Sequence, residues 1–255
     1  NFQPGDTVVG MGGWQTYSVV NANEPGAIRK VSTTHIPASA YLGPVGMPGV
    51  TAWMGLTQIC KPKAGETLVV SAASGAVGSV VGQLGKAMGC RVVGIAGGAE
   101  KCNYVTQQLG FDACVDYKAH TDSKSLYTAL KAATPAGVDA YFENVGGVIM
   151  DTVLARTNPF ARVAVCGLIA GYDGAPLPMN NAALILVNRL SIQGFIVSER
   201  MDLWPEALKT LGERVAKGQL VYKETISEGL RSAPEAFLGL LKGQNFGKQL
   251  VRVSE

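Results

Sequence analysis

The chain has 255 residues, 47% of them hydrophobic and 16% charged, with a formal net charge of +3. A chain this apolar buries enough surface to offset its ordering entropy, which excludes disorder, and its length suits one large domain or one domain and part of another. No basic run tracks a phosphate backbone, so nucleic acid is not an expected partner, and no apolar run of about 18 residues offers a membrane-spanning helix. The five cysteines, Cys60, Cys90, Cys102, Cys114 and Cys166, stand at least twelve residues apart, and His35 and His120 are isolated. Zinc sites usually draw on close ligand pairs, so the pattern predicts no metal, no disulfides and reduced thiols in a cytoplasmic protein.

The opening Asn1-Phe2-Gln3-Pro4-Gly5-Asp6 has neither an initiator Met nor a signal-like apolar segment and reads as the interior of a longer chain. Residues 5–10 and 14–20 are short β-type runs set off by glycines, the pattern of a small all-β unit. From Gly65 onward, apolar runs at 67–73, 91–96, 113–117, 138–144, 162–167 and 190–197 alternate with helical stretches. Those stretches are 77–88, 99–109, 123–133, 148–156 and one around 182–187. Strands that are apolar nearly throughout and spaced by helices predict a six-stranded, doubly wound parallel sheet covered on both faces. Helices at 202–217 and 232–242 and a strand-like segment at 247–253 follow.

The first of these strands runs into Ala73-Ser74-Gly75-Ala76-Val77-Gly78 and then a helix. Gly75 lets the backbone approach a pyrophosphate, Gly78 permits close helix–strand packing, and the N–H groups of Ala76 and Val77 lie where a helix N-terminus attracts anions. The same residues without a ligand would be a tight strand-to-helix turn; the βαβ setting favours the dinucleotide reading. The second strand ends about 20 residues further on, where an NAD site offers a carboxylate to the ribose. Here Ala96-Gly97-Gly98 leaves room for a phosphate, with Lys101 to meet it and Tyr117 to add a hydroxyl, which predicts NADP.

Ala72-Ala73-Ser74-Gly75-Ala76-Val77-Gly78-Ser79, Phe142-Glu143-Asn144-Val145-Gly146-Gly147 and Gly243-Gln244-Asn245-Phe246-Gly247-Lys248 together resemble the medium-chain dehydrogenase/reductase superfamily. The branch they resemble is that of the leukotriene B4 dehydrogenases and the prostaglandin, 2-alkenal and curcumin reductases. The resemblance implies an α/β protein: a doubly wound six-stranded parallel Rossmann sheet at 45–223, plus part of a GroES-like β-barrel domain from 1–44 and 224–255. It implies an N-terminally incomplete barrel and no zinc, since no cysteine-rich lobe follows Gly5-Asp6 and no cysteine stands near Gly46-Met47-Pro48-Gly49. It carries cofactor contacts onto Met47, Thr51, Asn144, Cys166, Gly167, Tyr172, Phe195, Ile196, Val197 and Asn245. The family's usual Tyr after Thr51-Ala52 is replaced by Trp53.

The reaction so implied is NADPH-dependent reduction of the C=C bond of a small hydrophobic enone or enal. Tyr172, on a glycine-flanked loop after a strand, is the candidate to stabilise the carbonyl oxygen or deliver a proton; the cofactor's ribose hydroxyl or water could do the same. The apolar stretch 179–187 is expected in the core, with a substrate-pocket wall as the other role. Residues 190–197 form an apolar edge strand, and pairing of that edge with its counterpart predicts a homodimer. A quinone oxidoreductase, or a cofactor-binding protein without turnover, remains the alternative.

Overall fold

The structure is a computed structural model that describes residues 2–24 and 26–254. Strands β1 (Val8–Gly10) and β2 (Ile28–Lys30) form a short antiparallel ribbon, Val8 opposite Lys30. Residues 14–20, expected as a strand, are irregular, with Trp14, Tyr17 and Val19 exposed. β-propensity is realised only against a partner strand, and none of the described segments pairs with this one.

Helix α1 (Met47–Met54) continues into a π-helical turn, Gly55–Cys60, neither of which the hydrophobic pattern announced. Two glycines explain both its existence and its invisibility. A Cβ on Gly49 would overlap the carbonyl of Pro44, and one on Gly55 would lie 2.8 Å from the Phe195 ring. The π-turn is anchored to the sheet through Arg162, whose guanidinium donates to the carbonyls of Cys60 at 2.9 Å and Asp139 at 3.0 Å and pairs with Glu66 at 2.5 Å.

Beyond it come β3 (Thr67–Ser71), α2 (Gly78–Ala87), β4 (Arg91–Ala96), α3 (Ala99–Gln107), β5 (Ala113–Asp116) and α4 (Ser123–Ala133). They are followed by β6 (Val138–Glu143), α5 (Gly147–Leu154), β7 (Thr157–Val165), α6 (Ala183–Val187), β8 (Ser191–Gly194) and α7 (Trp204–Ala216). The six strands form one parallel sheet in the order β5-β4-β3-β6-β7-β8. The chain winds outward from β3 in one direction, then returns to β6 and winds out in the other. That reversal opens a crevice at the carboxyl ends of β3 and β6, the place where an open sheet receives its ligand. Finally β9 (Glu224–Glu228), which the sequence reading overlooked, and β10 (Lys248–Arg252) pair in parallel around α8 (Ala233–Leu241).

Side chains of β3 alternate between two cores. Leu68 and Val70 join Val92, Phe111 and Phe142 on one face; Val69 joins Val93, Tyr141 and Val163 on the other. Each such fully buried side chain contributes roughly 1.5–3 kcal/mol. The expected edge strand 190–197 is shorter than its apolar run, because β8 ends at Gly194 and Val197 already starts a 3-10 turn. Likewise 113–117 loses Tyr117 to a turn, while β7 starts earlier than expected, at Thr157. Most of the stretch 179–187 is not core: Leu184 packs against the core, while Met179, Ile185, Leu186 and Val187 are exposed and no described residue buries them.

Packing of α2 on the sheet depends on Gly82, where a Cβ would overlap the buried Phe111 ring. Gly82→Ala should therefore cost about 1–3 kcal/mol through overpacking, read as a lowered urea midpoint at unchanged slope. An unchanged midpoint would show that Phe111 has room to turn aside.

Candidate functional site

Three groups tie β3 to β6 at the crevice. Ser71 Oγ donates to a carboxylate oxygen of Glu143 at 2.9 Å and accepts the Asn144 N–H at 2.8 Å. Asn144 Nδ2 donates to the Ser71 carbonyl, also at 2.8 Å. Glu143 is completely buried and also accepts from the Tyr141 hydroxyl and the N–H groups of Val145 and Gly146. Burial outweighs these donors and holds its carboxyl above the usual range. The same burial, with Glu143 beside it, pushes the Tyr141 phenol well above its ordinary value.

Asn144 is thereby fixed, and its Oδ1 accepts from the Cys166 thiol at 2.9 Å. Burial pushes that thiol up to about 12, so Cys166 is a neutral donor here and no nucleophile. Gly167 follows, and a Cβ on it would stand 3.2 Å from the Tyr172 hydroxyl and 3.4 Å from the Asn144 carbonyl. Asn144, Cys166, Gly167 and Tyr172 thus converge at the ends of β6 and β7. The loop after Tyr172 is strapped down by Asp151, whose carboxylate accepts Asn180 Nδ2 at 2.6 Å and the Asn180 N–H at 3.1 Å. Leu177 of that loop packs on Gly146 and Gly171.

On the other side of the crevice, Ala72 (φ 47°) turns the chain out of β3, and the Gly75 N–H closes the turn on the Ala72 carbonyl at 2.9 Å. A Cβ on Gly78 would overlap that carbonyl, which is why the helix can start so close to the strand. No side chain caps α2; the N–H groups of Ser79, Val80 and Val81 already donate to the carbonyls of Gly75 and Val77, so it is Ala76 and Val77, partly exposed just before the helix, whose N–H groups face an anion. Helix α2 begins at Gly78, one residue later than expected. The C-terminal segment comes back onto this turn through a bridge between Gly75 and Gly247. Asn245 Nδ2 donates to the Gly247 carbonyl at 2.8 Å, which shapes that return.

At the end of β4 no carboxylate stands on the strand itself. Asp116, the acid nearby, is engaged by the Gly98 N–H at 2.7 Å and the Lys118 N–H at 3.0 Å. A Cβ on Gly97 would press on both Tyr117 and Lys118, at 2.9 Å from each. Lys101 lies alongside, its Nζ donating to the Gly243 carbonyl at 2.7 Å; burial and then the Lys118 charge lower its affinity for a proton. These residues fit a nucleotide carrying an additional phosphate: small backbone, two ammonium groups and a phenol, with Asp116 turned to backbone N–H groups and Glu100 exposed beside Lys101.

Met47 and Thr51 share one face of α1, but the Thr51 hydroxyl donates back to the Met47 carbonyl at 2.8 Å. Phe195 packs edge-on against Phe142 at 6.3 Å between ring centres. Ile196 is exposed, and the Val197 carbonyl accepts Trp204 Nε1 at 3.0 Å. The structure therefore assembles the turn, the Lys101–Tyr117 corner and the Asn144–Tyr172 corner, and places Met47 and Thr51 on a separate helix. Sequence reading missed the roles of Ser71, Glu143 and Asp151 and gave Lys118 at most added charge near the adenosine phosphate; a lone carboxylate inside the apolar Gly147–Leu154 helix was the one signal for Asp151.

Fold and crevice together define a dinucleotide-dependent oxidoreductase of the doubly wound class. A family described as zinc-binding dehydrogenase matches residues 76–213. The NADPH-dependent curcumin reductase of Escherichia coli (strain K12) is 44% identical over all of this chain and 74% of its own length. The NADP-dependent 2-alkenal reductase of Nicotiana tabacum is 43% identical over 99% of this chain and 73% of its own. A crystal structure of CurA from Vibrio vulnificus in complex with NADPH superposes with a TM-score of 0.86 at 43% identity, covering 95% of this chain and 72% of that one. The chain belongs to the medium-chain dehydrogenase/reductase family, in the branch of the curcumin, 2-alkenal and prostaglandin reductases. The family's description speaks of zinc; among the described residues no three His, Cys, Asp or Glu side chains come together to hold a metal ion.

The buried Glu143 yields a test of the site's electrostatics. Its carboxyl titrates above the unfolded value, so whatever stability it adds is complete below about pH 4.5 and is lost as pH rises through the raised value. Glu143→Gln, neutral throughout, should gain on the parent in unfolding free energy from about pH 5 to 8. A constant difference across that range would mean that Glu143 is not raised.

Proposed function

We propose that this protein is an NADPH-dependent reductase of the C=C bond of α,β-unsaturated ketones and aldehydes. The observation that carries the reading is the Tyr172 hydroxyl folded over Gly167, beside the fixed Asn144, at the switch-point crevice opposite the glycine turn. Residues Gly75, Ala76, Val77 and Gly78 would hold the pyrophosphate, Lys101 and Tyr117 the additional phosphate, and Asn144, Cys166, Gly167 and Asn245 the length of the cofactor. Met47, Thr51 and the Phe195–Val197 segment would flank the nicotinamide. When bound, NADPH supplies the hydride for the β-carbon.

The chain's own residues then do the rest. As negative charge develops on the substrate's carbonyl oxygen, the Tyr172 hydroxyl would donate to it; Tyr172 is 63% exposed, so it is the bound substrate and cofactor that would shield this bond from water. Asp151, by strapping the loop, keeps Tyr172 at that place. No step calls for a protein nucleophile, and the crevice presents none, its one thiol being neutral. The reading is supported by the reductase names of the relatives. We assign 45–223 to the NADP-binding domain and 1–44 and 224–255 to the catalytic domain, from which Asn245 returns to the cofactor, in a cytoplasmic protein.

The test is NADPH consumption with a simple 2-alkenone and mass analysis of the product. A saturated ketone, formed far more slowly with NADH, is expected. Lys101→Ala should raise KM for NADPH about tenfold or more, the worth of a charge-assisted contact, and leave KM for NADH nearly unchanged. Tyr172→Phe should lower kcat by roughly 10–100-fold if its hydroxyl meets the oxyanion. Turnover with a quinone alone would make it a quinone reductase, and an unchanged Tyr172→Phe would remove the phenol from the chemistry.

We further propose a homodimer through β8. That strand is an unpaired, exposed edge, and Phe160, Leu186 and Ile196 beside it are 65%, 80% and 59% exposed. Apolar side chains around an open edge favour strand-to-strand pairing. Light scattering should give twice the chain mass; a Leu186→Lys variant should shift it to the monomer, and a monomeric parent would rule the dimer out.

A further inference from the structure

Cys102 follows Lys101 on α3, and Cys114 lies on β5 two residues before Asp116. Their sulfurs are 3.0 Å apart, the Cys114 thiol donating to Cys102. That separation exceeds a disulfide bond of roughly 2.05 Å by about 1 Å. Both residues are partly exposed. The hydrogen bond from Cys114 lowers the Cys102 thiol's affinity for its proton, which favours Cys102 as the attacking sulfur with Cys114 in reach of it. The other three cysteines are unlike them. Cys60 and Cys90 are buried with sulfurs on the carbonyls of Tyr141 and Lys63, and Cys166 donates to Asn144. Burial pushes Cys60, like Cys166, up to about 12.

We propose that Cys102 and Cys114 form a dithiol oxidation site that takes a hydroperoxide, and that its closure weakens NADPH binding at the adjoining Lys101–Asp116 corner. The Cys102 thiolate attacks the peroxide's terminal oxygen; the O–O bond breaks, an alcohol or water leaves, and Cys102 becomes a sulfenic acid. The Cys114 sulfur then attacks the Cys102 sulfur, the S–S bond forms, the S–O bond breaks, and water carries off the thiol proton. The two sulfurs lose two electrons and the peroxide gains them. Drawing the sulfurs together moves α3 against β5. Those are the elements that carry Lys101 on one side and, on the other, Asp116, whose carboxylate holds the Gly98 N–H at 2.7 Å. The second half of the proposal rests on the reading of Lys101 as a phosphate group's partner; the first half does not.

The experiment treats the reduced protein with a small molar excess of hydrogen peroxide, blocks free thiols, digests without reductant and maps linked peptides by mass spectrometry. A Cys102–Cys114 peptide is expected, absent from Cys102→Ser and from Cys114→Ser. The dissociation constant for NADPH, followed by fluorescence, should rise about tenfold in the oxidised parent and return with dithiothreitol. Over-oxidation of Cys102 without a linked peptide overturns the site, and a linked peptide with unchanged NADPH affinity overturns the coupling. Failure of the reduced protein to bind NADPH at all would count against the cofactor assignment, while the peptide map still decides the dithiol site.

Discussion

The crevice exists because β3 and β6 are locked side by side at their carboxyl ends, and the lock is a small polar network in an otherwise apolar sheet. Ser71, Glu143 and Asn144 satisfy one another and the backbone of the turn after β6. A buried network of this sort is worth having only when every member finds a partner, because each unsatisfied group would cost about 1–3 kcal/mol. Here it is complete, and it does two things at once. It fixes the angle between the two halves of the fold, and it aims the Asn144 side chain, and through it Cys166 and Gly167, at the crevice.

Everything nearer to the chemistry is hung from that lock by glycine. Gly78 allows α2 to begin against the end of β3, Gly97 opens the corner beside Tyr117 and Lys118, and Gly167 makes space for the Tyr172 hydroxyl. The crevice is thus built by subtraction: side chains are absent where turn and loop approach most closely, at Gly78, Gly97 and Gly167, and retained beside them. Asp151 supplies the opposite device, a buried carboxylate that gathers Asn180 and so holds an exposed loop against α5.

The sheet was legible because its central strands are apolar nearly throughout, the pattern of strands covered on both faces. The glycine turn was legible because it stood between such a strand and a helix. What stayed hidden shares one cause: its meaning lies in a partner far along the chain. Residues 14–20 have strand composition and no strand to pair with. Residues 47–60 have helical geometry and a composition that disguises it, since the glycines serve contacts with Pro44, Phe142 and Phe195. The 190–197 run is as apolar as a strand but is released from the sheet after Gly194, where Phe195 turns to meet Phe142. Glu143 was visible within a motif, yet its burial could be known only once Ser71 was seen beside it.

The bridge between Gly75 and Gly247 joins the turn after β3 to the residue just before β10. Such a long-range contact forms late, because a large loop must close before it is rewarded, and the entropy of closure grows with loop length. The phosphate turn itself is local to β3 and α2 and can form as soon as they pack. Its far wall, with Asn245 and the carbonyl that engages Lys101, arrives only after α8 and β10 have been synthesised and docked. Until that segment has docked, the turn after β3 lacks its contact with Gly247 and Lys101 lacks the Gly243 carbonyl.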